Sequence, residues 1–117
     1  MKPSWVDPVY DVTFSVLQCP FTALGPVITR LGARADLLVD EPKARTLMNA
    51  NLSEVVFWFP PEAKAHKEGW PNTIAHEAVH GACCVLRDRG LKIKPASEEA
   101  LCYYVGYLVE EITRRLK

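Results

Sequence analysis

A chain of 117 residues, 49% of them apolar, has the size and composition of one domain with one buried core. Its 14 basic and 14 acidic side chains balance to a formal charge of zero, which argues against a nucleic-acid surface or an anionic-membrane surface. The N-terminal MKPSWVDPVYD has no apolar core of signal-peptide length, VVFWFP is far short of a membrane span, and Cys19, Cys83, Cys84 and Cys102 form no Cys-x-x-Cys pair; a cytoplasmic protein with buried, reduced thiols is expected.

In chain order, VYDVTFSVLQ (residues 9–18) is rich in β-branched and aromatic residues and puts Val12, Phe14 and Val16 on one side, so it predicts a strand. Gly25-Pro26 interrupts the next helical spacing, leaving a short helix over residues 26–31 closed by Gly32. Between residues 33 and 51, DLLVDEP reads as a strand running into a turn and KARTLMNAN as strand or helix, with an antiparallel pair preferred. SEVVFWFP (residues 53–60) is the clearest later strand, with Val55, Phe57 and Phe59 on one face and Val56 and Trp58 on the other. WPNTIAHEAVHGACCVLRDRG then carries full helix punctuation: Asn72 or Thr73 as N-cap, basic residues in the last turn, and Gly90 just past the end. Ala75, Val79, Ala82 and Leu86 form its predicted apolar stripe, and Gly81 is tolerable inside it. Ser97 caps a final helix to about Leu116, where Leu101, Val105, Leu108 and Ile112 recur at helical spacing. Strands followed by two helices predict an α+β domain spanning residues 1–117, with a small, mainly antiparallel sheet.

Within the first of those helices lies His76-Glu77-Ala78-Val79-His80. Residues four apart share a helix face, so His76 and His80 can aim imidazole nitrogens at one divalent ion, with Glu77 beside it to take a proton from a bound water. A zinc site needs a third protein ligand, and the chain offers Glu98, Glu99, Cys83, Cys84 and His66. Cys84 is about 12 Å along the helix axis from His76, too far for one ion, so both cysteines read as packing residues.

HEAVH followed after eighteen residues by Glu99 in EEALCYY resembles the gluzincin arrangement of zinc metallopeptidases, in which the downstream Glu is the third ligand. That resemblance selects Glu99, because the family's ligand Glu commonly precedes a small residue and then an apolar helix, as Glu99 precedes Ala100 and Leu101. A helical wheel sets Glu98 near the centre of the apolar face and Glu99 to one side with Tyr103 and Gly106, so the two stay in competition. Residues 74–111 also resemble short phage and prophage proteins with a HEAxH helix followed by an E-A-x-x-Y…GYL helix. The similarity to ImmA/IrrE-type metallopeptidases is weaker, since their usual continuation after the second helix and their DNA-binding domain are missing.

What the resemblance implies is a minimal zincin-like domain holding Zn2+ through His76, His80 and Glu99, with Glu77 as general base in amide hydrolysis. Residues 55–59 are the candidate edge strand for an extended peptide substrate. Tyr103 is the first candidate donor to the oxyanion, with Tyr107 and His66 behind it. The alternative function is a non-enzymatic, metal-stabilised protein that modulates a host or phage protein in the bacterial cytoplasm. Glu77 discriminates between them, because a structural metal site needs no base.

Overall fold

The computed structural model describes residues 1–32 and 42–117, so the strand expected at DLLVDEP falls almost wholly outside the described residues. Strands β1 (Ser4–Asp7), β2 (Val12–Gln18), β3 (Arg45–Met48) and β4 (Glu54–Phe59) form a four-stranded mixed sheet in the order β1-β2-β4-β3. The pairs β1–β2 and β3–β4 are antiparallel, and β2 runs parallel to β4. Three α-helices accompany it: α1 (Gly25–Leu31), α2 (Trp70–Asp88) and α3 (Glu98–Arg115). The architecture is therefore α+β with a C-terminal helix, and none of the described helices is long and apolar enough to cross a membrane.

Alternation along the strands sorts the apolar residues onto two faces. Val12, Phe14 and Val16 of β2 and Val55, Phe57 and Phe59 of β4 join α2 and α3 in one core. Val56, Trp58 and Leu47 turn the other way and pack with Leu24, Ile28 and Leu31 of the α1 region. Strand β4 is thus buried on both faces and paired on both edges, which corrects the expectation that residues 55–59 form an open edge. Among the described residues its neighbour β3 is the outer strand on that side. Strand β1 is an addition, because its four residues are too short and too exposed to announce themselves by alternation.

Helix α2 begins earlier than the sequence suggests. Gly69, at φ 87°, turns the chain, Pro71 sits in the first turn, and Trp70 is already helical, so neither Asn72 nor Thr73 is the cap. At its other end Gly90 adopts φ 85°, as expected of the residue after a helix. The buried face is also rotated from the predicted stripe: Ile74, Ala78, Gly81, Ala82 and Val85 lie inward, while Val79 is exposed. Gly81 permits this rotation. A Cβ there would sit 2.7 Å from Phe57 Cζ, so only a bare Cα lets the helix lie this close to β4.

Candidate functional site

Rotating α2 onto Gly81 decides where its motif points. Glu77 falls at the inward margin facing β3 and is only 5% exposed, while His76 and His80 stand on the solvent side of the same margin. Their Nε2 atoms are 3.1 Å apart with the rings at 79°. Two ligands held tetrahedrally at roughly 2.0 Å from zinc are separated by about 3.3 Å, so the pair has the spacing of two corners of a zinc site.

Glu77 is fixed by the strand rather than by its own helix. Thr46 Oγ1 donates to Glu77 Oε1 at 2.8 Å and also lies 3.2 Å from the Glu77 carbonyl oxygen. The other carboxylate oxygen, Oε2, is 3.9 Å from His76 Nε2 and faces the histidines. One oxygen is therefore anchored and the other is available to a proton. Thr46 carried no motif; its only sequence signal was a polar residue one position before the buried Leu47, on the opposite face of a short strand.

A hollow of about 360 Å³ lies over this arrangement, lined by Ala44, Arg45, Thr46 and Met48 of the β3 region and by His76, Glu77, His80 and Cys84 of α2. A second hollow of about 300 Å³ shares Ala44, His76 and Glu77 and extends to Lys43, Asn72 and Thr73. Together they make a cleft alongside the β3 edge, with the carboxylate midway. Cys84 is part of its wall, and burial pushes the thiol's pKa up against the opposing pull of Arg87, so it stands there as a neutral thiol.

The structure does not bring Glu99 to this cleft. Helix α3 runs antiparallel to α2: Leu108 packs at Gly81, Arg89 beyond the end of α2 donates to the carbonyl of Tyr10 at 3.0 Å, and the Tyr10 ring rests 5.1 Å from Tyr104. Glu99 precedes Leu108 by nine residues, which sets it about 13.5 Å along the axis toward Arg89 and away from His80. Glu98 shares that end, and both are exposed. Among the described residues no three His, Cys, Asp or Glu side chains gather as a metal-holding group. The residues fit zinc as a histidine pair with an oriented carboxylate, and the third protein ligand is missing from the described set.

The other expected participants are also elsewhere. Tyr103 is 76% exposed and lines a different pocket with Val9, Tyr10, Ala100, Tyr104 and Tyr107. Tyr107 borders that same pocket, and His66 is exposed in the connection before α2. No tyrosine lines the cleft, so the oxyanion donor expected from α3 has no place at it. Comparison with family models, curated proteins and solved structures finds no match to this chain.

Proposed function

We propose that the chain is a zinc-dependent hydrolase of the peptidase kind, with His76 and His80 as metal ligands and Glu77 as general base. The observation that carries this reading is the orientation of Glu77: a buried carboxylate with one oxygen held by Thr46 and the other turned toward a histidine pair at ligand spacing. A helix with two incidental histidines needs no such carboxylate, because burying it costs free energy unless partners are supplied. Zinc, when bound, supplies a Lewis acid that brings the ionisation of water to about neutrality. In that role Glu77 would take up a proton at Oε2, with Thr46 holding Oε1 in place. The β3 edge offers backbone groups to an extended peptide lying in the cleft, the role first expected of β4. Since Glu99 lies at the far end of the helix pair, the histidines alone anchor the metal from the described residues.

That incomplete ligand set favours a second reading, in which the histidine pair and cleft serve a non-enzymatic metal-dependent contact with a host or phage protein. Zinc stoichiometry and peptide hydrolysis, measured on the wild type, His80→Ala and Glu77→Gln, separate the two. Hydrolysis by the wild type, with zinc but no turnover in Glu77→Gln, supports the hydrolase. Zinc in both without turnover in either leaves the contact protein, and a wild type that takes up no zinc removes both.

A further inference from the structure

The pocket that received Tyr103 has a chemistry of its own. It encloses about 300 Å³ between the β1–β2 turn and α3, and four of its six lining residues are tyrosines. The Tyr104 and Tyr107 rings are nearly parallel, 6.0 Å apart at 6°, and Tyr10 leans on Tyr104 at 59°. Tyr103 and Val9, 76% and 75% exposed, form walls that no packing among the described residues explains.

Beneath the pocket lies Asp7, only 2% exposed. Its carboxylate accepts from Tyr104 O–H at 2.8 Å and from Val9 N–H at 3.0 Å, two residues that themselves line the pocket. No cationic side chain pairs with it among the described residues. Burial first, and then the bond to Asp7, hold the Tyr104 hydroxyl in its protonated, donating form. Two further carboxylates share the tyrosine face of α3: Glu99 is four residues before Tyr103, and Glu110 is three after Tyr107. Two cations lie near the pocket, and each is already paired: Arg89 at the Tyr10 carbonyl with Asp88, and Arg115, close enough to act on the Tyr107 hydroxyl, with Glu111.

We propose that this pocket binds a small organic cation of the trimethylammonium class, its methyl groups against the tyrosine faces and its charge above the buried Asp7. Tyrosine faces carry negative quadrupole density, and such heads bind by that attraction together with their apolar surface. Glu99 thereby acquires a role at the place where the fold puts it.

The test is titration of the full chain with choline and with its uncharged isostere, in which carbon replaces the quaternary nitrogen, followed by the ring-proton shifts of the tyrosines. Choline is expected to saturate and to bind about 3- to 30-fold more tightly than the isostere. Tyr103→Ala, a change at an exposed residue, should remove most of that preference; Tyr103→Phe should keep it; Glu99→Gln should reduce it, more so at low salt. Equal binding of the isostere, an unchanged Tyr103→Ala, or no saturation with choline would overturn the proposal. A peptide containing trimethyllysine identifies the source of the cation: tighter binding than choline points to a chain-borne head group, equal binding to a free one. None of these readouts depends on zinc or on hydrolysis.

Discussion

Replacing Gly81 by Ala places two large effects in opposition. In an exposed helix interior the change stabilises by about 1 kcal/mol, because alanine loses less conformational freedom on folding. At Gly81 the new methyl would lie 2.7 Å and 2.9 Å from Cζ and Cε1 of Phe57. That ring has no room to withdraw: it is fully buried, stacked 5.8 Å from Phe14, and carried by a strand paired on both edges. Overpacking costs about 1–3 kcal/mol, and a ring that cannot withdraw puts this site at the upper end, so the net expectation is destabilisation by about 1–2 kcal/mol. For a chain of this size that is a fall in Tm of roughly 4–8 °C. Chemical unfolding of the wild type, Gly81→Ala, Phe57→Leu and the double variant closes a cycle in which Phe57→Leu should relieve the clash and give a coupling of about 1 kcal/mol. A Gly81→Ala variant more stable than the wild type, with no coupling to Phe57, would refute the close approach of α2 to β4. The positions of both histidines relative to β3, argued from that approach, would then lose their support.

Thr46→Val should destabilise by about 1.5–3 kcal/mol in urea unfolding, because the Glu77 carboxylate is left buried without its donor, while Thr46→Ser should recover most of the loss. If the hydrolase reading is right, the valine variant also loses turnover at unchanged zinc affinity. Glu99→Ala should bind zinc like the wild type, whereas His80→Ala should weaken it at least about 100-fold, the loss that outer partners of metal ligands already cause; equilibrium dialysis measures both, and a matching loss in Glu99→Ala would return Glu99 to the site. The raised pKa of Tyr104, from burial first and then its bond to Asp7, has a sign: the stability linked to it is complete below about pH 10 and declines above it, because the unfolded phenol ionises first. Alkaline titration of stability should therefore show a slope of up to about 1.4 kcal/mol per pH unit from this group. Tyr104→Phe should lack that slope while being about 1–3 kcal/mol less stable at neutral pH.

Much of the fold was readable because periodicity reports burial directly. The two faces of β4, the inward side of β2 and the short helix ended by Gly32 are local patterns, and each appears in the structure as the spacing predicts. What periodicity does not report is which strands become neighbours. Residues 55–59 carry the signature of a strong strand, and that strength reflects burial on both faces in the interior of the sheet rather than an open edge. The placing of Glu99 had the same weakness, for spacing along the chain says nothing about where one helix crosses another. Here the contact between Gly81 and Leu108 fixes the offset. Within α2 the motif itself was legible, since one helix sets the relation between His76 and His80; the partner of Glu77 was not, because Thr46 arrives from a strand whose register only the sheet defines.

The parallel seam between β2 and β4 divides the molecule by how its parts can come together. Each antiparallel pair is a local hairpin, whereas Thr13 and Glu54, partners across the seam, must close a long stretch of chain before they meet. The seam is thus the slowest junction to form. The cleft lies on one side of it, built from the β3 region and α2, whereas the tyrosine pocket lies on the other, where Tyr104 of α3 packs on Phe14 of β2. Pulse-labelled hydrogen exchange during refolding should find the amides between β2 and β4 protected later than those of the β3–β4 hairpin.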